Sequence, residues 1–104
     1  MIRETVRCEV LYGHYNDAVE IAREINAQMQ AKNLPVATLF YPVAGTGNTL
    51  IAQTEYESLA AYEAADAPTY SDPDIMKNIR RLGAVTVQGS TTIELMGEVP
   101  EHMA

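Results

Sequence analysis

The order in which strand-like and helix-like hydrophobic patterns follow one another constrains the fold of this chain most. Residues 2–12 alternate between apolar and polar side chains as a strand does, and residues 17–33 carry apolar side chains at helical spacing. Two more alternating stretches come next, then a broken helical region and a last alternating stretch, at residues 36–43, 48–56, 58–83 and 90–96. The predicted element order is βαββαβ.

This order predicts a ferredoxin-like α+β fold, in which a four-stranded antiparallel sheet carries its helices on one face. The length of 104 residues suits one domain, which we expect over residues 1–97, with residues 98–104 as a C-terminal tail. Residues 84–89 could extend the second helical region, form a short strand or act as a linker.

Short polar residues predict where the helices begin and end. Asp17 with Glu20 three residues later has the spacing of a capping box at the start of the first helix. Ser58 is placed to cap a second helix, which should end before Pro68. Ser71 is placed to open the helix that follows.

The glycine-rich segment VAGTGNT, residues 43–49, has the composition of a phosphate-binding loop. Phosphate loops lead from a strand into a helix, whose N-terminal amides hold the anion. Here the next predicted element is a strand, and the lysine that ends a Walker motif is absent. Glycine and asparagine between two alternating stretches predict a β-hairpin instead.

One face of the predicted sheet mixes charged and apolar side chains. By alternation, its members are Arg7, Glu9, Leu11, Phe40, Ile51, Gln53, Glu55 and Glu94. The apolar members would be exposed if this face met water, whereas the charged members would need partners if the face were covered.

Two segments resemble the NIPSNAP-like group of the dimeric α+β barrel superfamily. They are GTGNTLIAQTEYESLAAYEA, residues 45–64, and DAPTYSDP, residues 66–73. In that superfamily two ferredoxin-like domains pack sheet against sheet. The resemblance therefore implies a homodimer, and a partner sheet would make the mixed face the lining of a shared barrel.

The resemblance implies two classes of function. The superfamily includes cofactor-independent monooxygenases acting on phenolic polyketides, lactone isomerases, haem-degrading enzymes and domains without a known reaction. A haem protein needs an axial histidine, and none lies between Glu57 and Gly83, so we expect no cofactor. An oxygenase or isomerase for a small apolar or phenolic molecule remains, with a non-catalytic small-molecule-binding or protein-interaction domain as the alternative.

His14 is the candidate catalytic residue, because its ordinary pKa suits a general base near neutral pH. An exposed loop histidine ahead of a helix is the alternative. The candidate pocket residues are Arg7, Glu9, Tyr12, Phe40, Gln53, Glu55 and Tyr70. Glu9 and Glu55 could form a carboxylate couple on neighbouring strands, although Arg7 favours a structural ion pair.

Charge and cysteine content exclude several classes of function. Seven Lys and Arg stand against fourteen Asp and Glu, a net charge of −7, which argues against nucleic acid or an anionic membrane as partner. The single cysteine, Cys8, excludes an intramolecular disulfide and a Cys-rich zinc site, and we expect no metal. The N-terminus lacks the apolar core of a signal peptide, so we expect a cytoplasmic protein.

Overall fold

The computed structural model describes residues 1–45 and 47–102 as four strands and three helices. The strands are β1 (Ile2–Glu9), β2 (Thr38–Phe40), β3 (Thr49–Tyr56) and β4 (Thr92–Gly97), and the helices are α1 (Tyr15–Ala31), α2 (Leu59–Tyr70) and α3 (Pro73–Ala84). The predicted ferredoxin-like fold is confirmed. Thr46 of the predicted loop and Met103 and Ala104 of the predicted tail lie outside the described residues.

The strands form one antiparallel sheet in the order β2-β3-β1-β4. The central pair runs from Ile2 opposite Tyr56 to Glu9 opposite Thr49. Strand β4 pairs with the other side of β1, so that Thr5 lies between Gln53 and Glu94. The register fixes which side chains share a face of the sheet.

The core lies between one face of this sheet and the helices. Its central cluster consists of the buried residues Cys8, Val10 and Leu50 from the sheet side and Ala18 and Ala22 from α1. Small residues on α1 let the helix approach the strands closely. Cys8 is only 8% exposed, and this burial raises the pKa of its thiol, as is usual for a thiol that packs in a core.

Helices α1 and α3 are held together by polar side chains. Arg81 donates a hydrogen bond to Glu24 at 2.9 Å and another to Asn78 at 2.7 Å. Asn78 is buried and donates to Gln28 at 3.0 Å. The polar groups on these two facing helices therefore have partners, as burial requires.

The first strand and first helix differ from the prediction at their junction. Strand β1 ends at Glu9, and beyond it Val10 forms a single bridge with Thr86. Helix α1 begins at Tyr15 with His14 as its N-cap residue, so the predicted capping box at Asp17 is wrong. The chain turns at Gly13, whose φ of 85° suits glycine, and the helix starts as soon as this turn is complete.

The second helical region also differs from the prediction. Helix α2 begins after Ser58, whose side chain accepts a hydrogen bond from the Ala61 amide as predicted, but it continues through Pro68 to Tyr70. Proline removes one helical hydrogen bond without ending the helix, because this turn is exposed to water. Asp72, rather than Ser71, caps α3 by accepting hydrogen bonds from two backbone amides.

The glycine-rich loop connects β2 to β3, its antiparallel neighbour, so the predicted hairpin is confirmed. Gly45 and Asn48 have φ angles of 104° and 59°, the left-handed region that these residue types favour. For residues 84–89 the sequence left three alternatives open. In the structure, α3 ends at Ala84 and the residues after it run beside the end of β1. The Leu11 amide donates to Val85 at 2.9 Å, and the Val87 amide donates to Glu9 at 2.8 Å.

Candidate functional site

The face of the sheet away from the helices, which we call the open face, carries the mixed side chains that the sequence predicts. Alternation and register place on it Arg3, Thr5, Arg7, Glu9, Thr38, Phe40, Thr49, Ile51, Gln53, Glu55, Thr92, Glu94 and Met96. Phe40 and Met96 are 44% and 41% exposed. Leu11 does not belong to the face, because it lies beyond the end of β1.

Two depressions lie at opposite ends of the open face. The first has a volume of about 510 Å³ and is lined by Arg7, Cys8, Glu9, Pro42, Ala44, Thr49, Ile51, Ser90 and Thr92. The second has a volume of about 490 Å³ and is lined by Arg3, Pro35, Val36, Thr38, Phe40, Gln53 and Glu55. Five of the predicted pocket residues, all but Tyr12 and Tyr70, thus line these depressions.

Thr5 lies at the centre of the open face, between Gln53 and Glu94 on the neighbouring strands. It is only 2% exposed, because its side chain is short and its neighbours are long. Within the described part of the chain, its hydroxyl is the one buried side-chain polar atom without a hydrogen-bond partner. A buried hydroxyl without a partner costs about 1–3 kcal/mol, so this position is unfavourable in a single copy of the chain.

The charged groups of the open face pair differently from the prediction. Arg3 forms an ion pair of 2.7 Å with Glu55, directly across the strands, whereas Arg7 has no acidic partner within 4 Å among the described residues. Glu9 and Glu55 do not form the carboxylate couple that was one alternative, and among the described residues Arg7 does not form the structural ion pair that the sequence favoured. Glu9 lies opposite Thr49 at one end of β3 and Glu55 lies near the other end, about 20 Å away along the strand.

His14 lies in the helix layer and not on the open face. Its Nδ1 atom is 3.1 Å from the Asp17 carboxylate, and the side chain is 48% exposed. It lines a groove of about 350 Å³ whose other lining residues are Asp17, Glu20, Ile21, Glu24, Arg81, Ala84 and Val85. The imidazole is therefore oriented by a carboxylate, and it is separated from the depressions of the open face.

Tyr12 and Tyr70 also lie away from the open face. Tyr12 is 94% exposed in the turn after β1. Tyr70 is the last residue of α2, and burial with the negative charges of Glu4 and Asp66 raises the pKa of its hydroxyl. It belongs to a group on the helix side of the sheet.

That group surrounds Glu4. The rings of Tyr56 and Tyr62 meet edge to face, with their centroids 5.1 Å apart. Burial followed by the charge of Glu4 raises the pKa of Tyr56 to about 12, and hydrogen bonding to the Glu4 carboxylate, with burial, raises that of Tyr62 to about 12. Of this group the sequence pointed to Tyr70 alone, although one signal for Glu4 was available: it interrupts the apolar series Ile2, Val6 and Cys8 on the core face of β1.

Two negative findings concern the described residues alone. No three His, Cys, Asp or Glu side chains there come together in a way that could hold a metal ion. None of the helices found there has the length and apolar character needed to cross a membrane.

Solved structures share this fold over nearly the whole chain. An uncharacterized NIPSNAP domain protein from Burkholderia xenovorans superposes with a TM-score of 0.78 at 13% identity, covering 100% of this chain and 98% of that one. A NIPSNAP family protein from Agrobacterium tumefaciens gives 0.77 at 18% identity, covering 96% and 94%. An antibiotic biosynthesis monooxygenase gives 0.72 at 17% identity, covering 96% and 100%.

These similarities confirm, at the level of the fold, the resemblance that the sequence indicated. No protein-family model matches the chain, and no curated protein matches it. The shared geometry is that of a four-stranded antiparallel sheet with helices on one face.

Proposed function

We propose that two copies of this chain pack open face to open face, and that the resulting dimer holds a small apolar or phenolic molecule between its sheets. The observation that carries this proposal is the unpartnered hydroxyl of Thr5, buried at the centre of a face that also exposes Phe40 and Met96. A second copy would cover the apolar groups, and repacking of the long side chains beside Thr5 in the interface would give its hydroxyl new polar neighbours.

The two depressions supply the expected binding space. Each combines apolar side chains with a few polar groups, such as Ile51 with Arg7 in one and Phe40 with Gln53 in the other. Sites for small molecules usually have this composition, since apolar walls give affinity and a few polar groups fix orientation. A partner sheet would close both depressions to water.

Phe40→Asp tests the dimer, because it places a charge on the proposed interface. We expect light scattering to give a wild-type mass near twice the 11.4 kDa of one chain, and a monomer or insoluble protein for the variant. Leu59→Asp is the matched control: Leu59 is 51% exposed on the first turn of α2, where an acidic residue is tolerated. A monomeric wild type at micromolar concentration overturns the proposed dimer.

2-Naphthol, a small phenol with an apolar body, is a suitable probe of the binding space. We expect the fluorescence of 2-naphthol to shift or decrease when it binds to the wild-type dimer. Ile51→Ala should weaken that binding several-fold. Val99→Ala, which removes the same kind of apolar surface from a residue 71% exposed outside the sheet, should leave it unchanged. If Ile51→Ala and Val99→Ala bind 2-naphthol equally well, the probe does not bind in the depression lined by Ile51.

A second candidate function is cofactor-independent proton-transfer chemistry, such as that of an oxygenase or isomerase. The specific observation in its favour is the contact of His14 with Asp17, because a carboxylate that orients an imidazole is a common feature of general bases. Similarity of fold to an antibiotic biosynthesis monooxygenase supports the same class. The site would then be the groove between α1 and α3.

This candidate is tested with phenols, quinols and lactones as substrates. We expect His14→Ala to lower turnover by about 10²-fold with little change in melting temperature, and Asp17→Asn to lower it less. Glu20→Gln removes a carboxylate from the same groove without touching the imidazole, and it should be neutral. Full turnover by the His14 variant excludes the histidine from the mechanism.

A further inference from the structure

The helix side of β4 carries an uncovered trough that belongs to neither proposed site. We define this β4 trough by Glu4, Tyr62, Tyr70, Ile93 and Leu95. Ile93 and Leu95 lie opposite Val6 and Glu4 of β1, on the face that the helices cover elsewhere, yet they are 59% and 44% exposed. The trough thus has an apolar side formed by the edge of the sheet.

Two tyrosines of α2, Tyr62 and Tyr70, lie near Glu4, the residue that faces Leu95 across the strands. Tyr62, Asp66 and Tyr70 are four residues apart along α2, so they share one face of the helix, and the charges of Glu4 and Asp66 act on the hydroxyls of both tyrosines. Tyr56, which is only 8% exposed, packs edge to face against the ring of Tyr62. The ring of Tyr62 is therefore held in place before any ligand arrives.

Glu4 gives the trough its charge. It is partly buried, and no Lys, Arg or His side chain among the described residues lies within 4 Å of its carboxylate. The hydroxyl of Tyr62 is near enough for the Glu4 carboxylate to raise its pKa. A carboxylate in this position lacks a counter-charge, and Asp66 on α2 adds a second negative charge nearby.

We propose that the β4 trough binds an organic ammonium ion with a small apolar body. The Glu4 carboxylate would pair with the cationic nitrogen, the faces of Tyr62 and Tyr70 would contact its alkyl groups, and Ile93 and Leu95 would pack against the apolar body. Tyrosine rings attract alkylammonium groups through their negative faces, most strongly where water is partly excluded. A neutral ligand of the same shape would leave the carboxylate without a partner.

Choline and its uncharged isostere 3,3-dimethyl-1-butanol test this proposal, because they differ mainly in the charge on the central atom. We expect amide NMR shifts on titration with choline to concentrate in β1, α2 and β4. Choline should bind roughly tenfold or more tightly than the isostere, and Glu4→Gln should abolish the difference. Equal affinity for the two compounds overturns the proposal.

Matched variants separate a binding role from a structural one. Tyr70→Phe keeps the ring and should keep choline binding, whereas Tyr70→Ala should weaken it several-fold. Glu63→Gln removes one negative charge from an exposed position of the same helix and should have no effect beyond that of net charge. Loss of choline binding in Glu63→Gln equal to that in Glu4→Gln overturns the proposal.

The site is independent of the open face. Soluble Phe40→Asp protein should bind choline as the wild type does, because Phe40 lies on the other side of the sheet. If the protein proves to be a monomer, ammonium binding in the β4 trough is still expected. If choline does not bind, the proposed dimer is unaffected. Shifts that concentrate on the open face instead of the trough overturn the assignment.

Discussion

At the scale of single residues, Asn26 shows how one side chain can fix the path of a connection. Its amide group on α1 donates to the Ala37 carbonyl at 2.8 Å, and its side-chain oxygen accepts from the Ala37 amide at 2.9 Å. Ala37 immediately precedes β2, which has only three residues. The position of this short edge strand therefore depends on a polar contact from the helix.

Asn26→Ala should destabilise the protein, because it leaves both backbone groups of Ala37 partly buried without their partner. We expect the free energy of unfolding, measured in urea, to fall by about 1–3 kcal/mol. Gln30→Ala, an exposed amide on the same helix, should change it by only a few tenths of a kcal/mol. Equal effects of the two variants would contradict the two-point contact.

The tyrosines near Glu4 predict a pH dependence. Tyr56 and Tyr62 have pKa values raised to about 12, above the ordinary value near 10, so the folded protein holds these two protons more tightly than the unfolded chain does. Their contribution to stability is complete below about pH 10 and is lost as the pH rises through about 12.

Ultraviolet titration of tyrosinate should reveal this late ionisation. We expect one late-titrating group to disappear in Tyr62→Phe. Glu4→Gln should lower the pKa of Tyr62 towards its ordinary value, because the carboxylate is the largest cause of the shift. An unchanged titration curve in both variants would contradict the role of Glu4.

At the scale of elements, α2 differs from the other helices in having proline in its last turn. Pro68 cannot donate to the Ala64 carbonyl, but Ala64 is exposed and water can satisfy that group. Two side chains reinforce the same region: Thr69 donates to the Ala65 carbonyl at 2.7 Å, and Lys32, the C-cap residue of α1, forms an ion pair of 2.8 Å with Asp72.

Replacing Pro68 should stabilise α2. Pro68→Ala restores the missing helical hydrogen bond and removes the steric conflict of the ring, so we expect the free energy of unfolding to rise by about 1 kcal/mol or more. Pro73→Ala is the natural comparison, because proline is favoured at the first position of α3 and its loss should be neutral or destabilising. A destabilised Pro68 variant would show that the rigid ring is needed to hold Tyr70.

At the scale of the whole molecule, the chain is a thin slab. Its principal extents are 47, 34 and 20 Å, and its radius of gyration is 14.6 Å, against about 13 Å for a compact domain of this length. One helix layer on one sheet leaves the other sheet face without a covering layer. Each copy also carries a net charge of −7, so two copies repel each other.

Salt should therefore strengthen the proposed dimer. Raising NaCl from about 0.05 to 0.5 M shortens the range of charge repulsion to a few ångströms, while burial of Phe40 and Met96 is little affected. We expect the dissociation constant, measured by sedimentation at several concentrations, to fall. A rise would mean that ion pairs across the interface, for instance through the unpaired Arg7, outweigh the overall repulsion.

The sequence by itself determined the element order, the hairpin at the glycine-rich loop and the two faces of the sheet. These features depend on local periodicity: alternation at a period of two assigns Cys8 to the core and Arg7 to the open face without knowledge of any neighbour. Five of the predicted pocket residues therefore line the depressions of the open face.

Only the tertiary structure decided which of these side chains meet. The register of β1 against β3 separates Glu9 from Glu55 and joins Arg3 to Glu55, and no local pattern specifies a register between strands so distant in sequence. Packing of α2 beside the sheet brought Tyr62 to Glu4, and Tyr70 lies near the same carboxylate because the helix continues through Pro68, where local rules end it. Local pattern is silent on the register and is overridden at Pro68, so both features depend on contacts between segments distant in sequence.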